Sequence, residues 1–248
     1  CYGSLAATGH GHGTDNAIML GLLGEEPQTV VPRDIPGMIA RLHQQETLSV
    51  TEDKTIRFSP SRDLDLSHYQ PLKLHPNGML FTAVDKDGAP VEDAVFYSTG
   101  GGFVASEQEL LHPAEPDREP FPLPYESAEE LLRMADERHC PLSSIVMANE
   151  CALLPERDVR ERLDLIWTTM KQSIASGMSA RGNLPGVLQV PRRAKSLRKS
   201  LLVHGESALK DPLSIMDWIN LYAIAVSEEN AAGGRIVTAP TNGAAGIV

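Results

Sequence analysis

In the stretch ATGHGHGTDNAIMLGLLG, residues 7–24, His10 and His12 alternate with Gly9, Gly11 and Gly13, and an apolar run follows at once. Neutral imidazole is the side chain best suited to take or give a proton near pH 7. Read as a bare polar loop, the glycines let a substrate approach the backbone. The helix start after them offers N–H groups to an anion such as a carboxylate. A surface turn with two solvated histidines is the plainer reading. A metal pair from His10 and His12 lacks a third ligand at a familiar spacing.

A second stretch, TAPTNGAAGI at residues 238–247, sets Thr238, Thr241, Asn242 and Gly243 around a proline, just ahead of a Gly/Ala-rich run. Asn242 and the N–H groups after it suit a small carboxylate or amine. Thr241 or Asn242 equally suits a helix N-cap, with Gly243 to Ala245 packing against a neighbouring helix. The remaining chemistry-bearing residues read as structural. Cys140 and Cys151 read as small buried hydrophobes. His43, His68, His112, His139 and His204 belong to no constellation. Glu228 and Glu229 read as a solvated helix-end pair, and Trp167 and Trp218 as core.

These residues need elements to hold them. Thr14 can cap a helix through Ile18 and Leu22 that Gly24 ends. LSV and TIRF, at 48–50 and 55–58, are short strands, and Asn77-Gly78 reads as a tight hairpin turn. Asp87-Gly88 marks another turn before a strand, and Gly100 to Gly102 either turn a corner or admit a close neighbour. Pro113, Pro116, Pro120, Pro122 and Pro124 deny hydrogen bonds to helix and sheet alike and place a domain boundary. Beyond them Ser127 and Glu130 read as a reciprocal capping box. Val159, Leu163, Ile166, Trp167, Met170 and Ile174 recur at helical spacing as one buried face. Asp211-Pro212 opens a further helix, whose face Leu213, Met216, Ile219, Tyr222 and Val226 runs to Gly233-Gly234.

The fold class expected is therefore an α+β N-terminal domain followed by an all-α helical domain truncated at its C-terminus. The domains are residues 1–118, a proline-rich linker at 119–125, and 126–248. The 248 residues hold 33 acidic and 22 basic side chains, a net charge of −11, which repels polyanions and argues against nucleic acid or an anionic membrane as partner. PRRAKSLRK, residues 191–199, runs against that trend and reads as solvated or internally paired. No apolar run reaches the roughly 20 residues of a membrane span. Three cysteines, Cys1, Cys140 and Cys151, form no CxxC pair, so the cytoplasm is expected.

YGSLAATGHGHGTDNAIMLGLLG, HPNGM, FYSTGGGFV, LPGVLQVPRRAKSLR and SEENAAGGRIVTAPTNGAAGIV together resemble the iron–sulfur-dependent bacterial L-serine dehydratases, or L-serine ammonia-lyases, in order along the whole chain. The resemblance implies deamination of L-serine to pyruvate and ammonia, as a homodimer, by a [4Fe–4S] cluster with one open iron acting as Lewis acid. It implies an allosteric, substrate-binding type of first domain and a catalytic helical second one. His12 aligns with the histidine of the family's Gly-Lys-Gly-His motif, the general base, and would serve a site in the other domain. His10 stands where lysine is usual. The family's cluster cysteines fall beyond Val248 and its Ser-Ser-Ser-His-Thr stretch before Cys1, so the segment is expected to act only within its full-length parent. Two other readings compete. A pyridoxal-phosphate dehydratase needs a lysine and a phosphate loop that are not evident. A non-catalytic amino-acid-binding regulatory module would use the first domain alone.

Overall fold

A computed structural model of the chain describes residues 1–51, 54–113, 121–186, 188–203 and 214–237. The N-terminal part mixes strands and helices, and the part from residue 128 onward is helical, as the sequence pattern anticipates.

The first part is built on a four-stranded antiparallel sheet in the order β1 (Tyr2–Gly3), β4 (Asn77–Val84), β5 (Pro90–Gly100), β6 (Phe103–Ser106). A separate hairpin pairs β2 (Thr47–Thr51) with β3 (Lys54–Arg57), where short strands are expected. Helices α1 (Ser4–His12), α2 (Thr14–Leu22) and α3 (Ile35–Gln45) precede that hairpin, and the single turn α4 (Pro60–Asp63) follows it. Met19, Leu42 and Leu48 form the core here, with Leu22, Ile39, Phe58 and Leu64 against them. α2 and α3 thus pack against Leu48 of the hairpin.

Asn77-Gly78 is not a turn. Asn77 pairs with Gly3, and Gly78 lies between Tyr2 and Tyr97 at the start of β4. The missing side chain lets Leu72 cross the strand, since a Cβ on Gly78 would lie 2.6 Å from Leu72 Cδ1. The β4–β5 turn falls instead at Asp85 to Gly88, where Asp85 Oδ1 accepts the N–H groups of Asp87 and Ala89 at 2.9 Å. Gly100 to Gly102 turn the corner between β5 and β6. The reciprocal capping box occurs at Ser106 and Glu109, opening α5 (Glu107–Leu111). At α6 (Ala128–Arg138) only half of one forms: Ser127 Oγ accepts the Glu130 N–H at 3.2 Å, while Glu130 reaches past Ser127 to accept the Glu126 N–H at 2.8 Å.

In the helical part α7 (Leu142–Leu153) and α8 (Glu156–Ser179) follow α6, and α8 packs with α9 (Ala194–Val203) and α10 (Ser214–Ala231). Ala194, Leu201, Leu221 and Ala225 are buried at that junction beneath Met178, Leu197, Trp218 and Ile224. Gly177 sets the closeness of α8 to α10, because a Cβ there would lie 2.2 Å from the Ala225 carbonyl oxygen. The helical periodicity is correct but its buried face is displaced. Leu163, Ile166 and Trp167 are 48%, 41% and 53% exposed; of the expected face Val159 is buried, and farther along α8 buries Ser173 and Gly177 instead. Trp167 is therefore no core residue; Lys171 Nζ sits 5.4 Å from its ring centre. α10 buries Val226 of its expected face together with Leu221, Ala225 and Glu228, while Met216 is exposed. The neighbour selects the face, and small residues on α8 admit closer packing than its large apolar ones. Asp211, Pro212, Leu213 and His204 lie outside the described residues.

Candidate active site

The GHGH stretch is helix rather than loop. α1 runs through Gly9, His10, Gly11 and His12, and the break comes at Gly13, whose φ of 71° and ψ of 24° place it in the left-handed region that glycine enters at little cost. Gly13, not Thr14, then caps α2: its carbonyl accepts the Ala17 N–H at 2.9 Å, and no side chain caps that helix. Glycine's low helix propensity argues for a loop, but α1 is anchored at its start by the Ser4 N–H donating to Pro76 O at 2.9 Å. It also packs on β1 and β4.

The three glycines do different work. A Cβ on Gly9 would lie 2.6 Å from Leu66 Cδ2 and 3.3 Å from Thr14 Cβ, so Gly9 lets α1 pack closely. Gly13 makes the bend. Gly11, like Gly13, faces open space, with no atom of another residue within 4 Å of its would-be Cβ.

His12 ends α1, exposed, and its side chain makes no hydrogen bond or ion pair with any described residue. Its imidazole is open to a ligand. His10, 74% exposed, is engaged: its Nδ1 lies 2.9 Å from Asp15 Oδ2. Asp15 occupies the first turn of α2, where a carboxylate is favoured by the free N–H groups, and its Oδ1 accepts the Asn16 N–H at 2.9 Å. The pair spans the bend at Gly13 and ties the last turn of α1 to the first of α2.

Behind β1 lies a grouping that the sequence conceals. Tyr2 stacks on His68 with ring centres 4.9 Å apart, and His68 Nε2 lies 3.1 Å from Asp65 Oδ2. Asp65 Oδ1 accepts the Ser67 N–H at 2.7 Å, and hydrogen bonding from Ser67 holds the Asp65 carboxyl below its usual range.

Thr238, Thr241, Asn242 and Gly243 lie outside the described residues. The approach to them is described, and there the acidic pair departs from the solvated reading. Glu228 is 5% exposed. Its Oε1 accepts the Arg193 N–H at 2.6 Å and its Oε2 the Ala194 N–H at 3.3 Å, closing the N-terminus of α9. Glu229 Oε1 accepts from Arg192 at 2.8 Å, both side chains nearly buried. Gly234 then turns back, its N–H donating to Glu229 O at 2.8 Å, and Arg235 donates from its guanidinium to Val30 O. That bond joins the segment leading to Thr238 directly to the N-terminal part. A hint existed in the complementary pairs Arg192-Arg193 and Glu228-Glu229, but no spacing rule links residues so far apart.

Asn149 gives a similar lesson. It is buried, its Oδ1 accepting the Leu123 N–H at 2.9 Å and its Nδ2 donating to Leu123 O at 2.8 Å, so the proline-rich stretch is fastened to α7 by one amide.

The residues present do not fit an iron–sulfur cluster. Cys1, Cys140 and Cys151 are free, half-buried thiols, and no group of three or more His, Cys, Asp or Glu among the described residues converges as a metal site. No described helix is long and apolar enough to cross a membrane.

Comparison with known proteins divides the chain in two. Residues 1–109 match the family model of the serine dehydratase beta chain, and residues 137–248 that of the serine dehydratase alpha chain. L-serine dehydratase 1 of Escherichia coli (strain K12) is 43% identical over 247 residues, covering 100% of this chain and 54% of that protein. The L-serine dehydratase of Streptomyces coelicolor is 42% identical over 249 residues and that of Helicobacter pylori 34% over 249, again with 100% of this chain and 54% of theirs. The chain spans about half the length of the curated relatives it matches.

Proposed function

The chain belongs to the serine dehydratase family, and from that premise we propose that the whole protein of which it forms part is an L-serine ammonia-lyase, converting L-serine to pyruvate and ammonia. The observation that carries a catalytic role for this segment is His12, an exposed imidazole bonded to no described residue at the end of a helix anchored on the sheet. His12 takes the α-proton of serine. Loss of the β-hydroxyl gives aminoacrylate, which tautomerises to the imine and hydrolyses to pyruvate and ammonia. Removing the α-proton without a positioned base is slow, and a general base supplies typically 10²–10⁴-fold.

Thr238, Thr241, Asn242 and Gly243 bind the substrate in this reading, with Asn242 and the N–H groups after it holding the carboxylate. Support comes from the Arg235 bond to Val30, which draws the preceding residues toward the part of the chain that carries His12. The domain assignment proposed is 1–118, linker 119–125 and 126–248. The whole protein is taken to be a cytoplasmic homodimer. A [4Fe–4S] cluster is proposed for it, with cysteine ligands outside this segment, because Cys1, Cys140 and Cys151 do not converge.

The test is direct. The full-length protein, prepared without oxygen, is supplied with L-serine and pyruvate is measured through lactate dehydrogenase. Stoichiometric pyruvate and ammonia are expected; neither product from a preparation with intact iron–sulfur absorbance would defeat the proposal.

A further inference from the structure

The basic stretch PRRAKSLRK is left unused by the proposed chemistry, and it is not internally paired as a whole. Among the described residues, Arg192 alone of its cations has an acidic partner, Glu229. Lys195, Arg198 and Lys199 stand at i, i+3 and i+4 on one face of α9, and Arg181 faces them from the segment after α8. None of these four makes an ion pair with a described residue; Lys195 donates only to the Ser179 carbonyl, at 3.3 Å. They line a cleft of about 540 Å³, the volume of a small-molecule site. Its remaining wall is partly apolar, with Met178 and Leu202.

Like charges at i, i+3 and i+4 repel one another and weaken a helix. This chain carries a net −11 and so has acids to spare; Glu228 and Glu229, at the start of α9, are committed to its backbone N–H groups and Arg192. We propose that the cleft between α8 and α9 binds a small organic polyanion bearing phosphate groups or more than one carboxylate, with Arg181, Lys195, Arg198 and Lys199 as its cationic partners. A guanidinium presents a planar fork that matches phosphate or carboxylate oxygens, and the lysines add point charges. A zwitterionic amino acid does not suit it. One carboxylate cannot balance four cations, and its ammonium would be repelled.

Pyrophosphate, inorganic phosphate and L-serine serve as probes, titrated into the full-length protein by calorimetry at low ionic strength. Pyrophosphate is expected to bind more tightly than phosphate and to weaken as salt is raised. The exposed pair Arg198→Gln, Lys199→Gln should lower pyrophosphate affinity at least tenfold with an unchanged unfolding temperature, whereas Arg198→Lys, Lys199→Arg should retain it within about threefold. Equal affinity in the neutral variant would overturn the proposal. So would the absence of pyrophosphate binding, or its displacement by L-serine, which would return the cleft to the amino-acid substrate. Failure of serine turnover leaves this reading untouched, since pyrophosphate binding is read without it.

Discussion

Replacement of Glu228 by alanine should loosen the junction between α9 and α10 without touching the apolar core. In the native chain the carboxylate takes the Arg193 N–H at 2.6 Å and the Ala194 N–H at 3.3 Å from a nearly buried position. Hydrogen bonds to a charged group contribute about 1.5–3 kcal/mol each, and an orphaned buried N–H carries the full desolvation penalty. The first bond is short and takes the upper part of that range, whereas the second is long and weak. A loss of about 2–4 kcal/mol follows. For a chain of this size that is roughly 5–15 °C in the unfolding midpoint. Glu228→Gln keeps an acceptor for Arg193 but brings an amide N–H toward the Ala194 N–H, so about half the loss is expected. Circular dichroism at 222 nm on heating reads all three proteins. A Glu228→Ala midpoint within 1 °C of the parent, roughly 0.5 kcal/mol, would refute the claim that this carboxylate closes α9.

Other consequences are briefer. Gly177→Ala drives a Cβ to 2.2 Å from the Ala225 carbonyl oxygen, and backbone cannot swing aside as a side chain does; destabilisation of at least about 1–3 kcal/mol should appear in the same melt. His10→Lys keeps a hydrogen-bond donor opposite Asp15 and should leave kcat/KM of the full-length protein within about threefold, the scale of an exposed polar pair; a much larger loss would mean that the His10 imidazole itself takes part. Asn242→Ala should mainly raise KM if Asn242 holds ground-state substrate, and an unchanged KM assigns it to helix capping.

How far the sequence discloses this molecule depends on the distance over which each feature is encoded. The short strands β2 and β3, the Asp87-Gly88 turn, the end of α2 at Gly24 and the long helix α8 rest on neighbours within a few residues, and each follows from local propensity. Asn77-Gly78 fails because its pairing to Tyr2 and Gly3 is made across more than seventy residues, and that context overrides a turn signal. The GHGH stretch fails for a related reason: contacts with β4 and Leu66 hold helical a sequence that would otherwise be a poor helix. The exposed stripe Leu163, Ile166 and Trp167 shows that periodicity reveals a helix but not which face is covered. At the proposed site, the candidacy of His12 for proton transfer rests on its residue type alone. The Asp15 partner of His10, the burial of Glu228 and Glu229 and the Asn149 clamp on Leu123 are not legible from residue type, because all depend on tertiary placement.

The account turns on the imidazole of His12, and single-turnover and steady-state kinetics of His12→Ala in the full-length protein examine it most directly. With the iron–sulfur absorbance matched to the parent, kcat for pyruvate formation from L-serine should fall by at least about 10²-fold, while the unfolding midpoint stays put because the side chain is exposed and unbonded. Near-parental turnover in that variant would contradict the account and remove His12 from the chemistry.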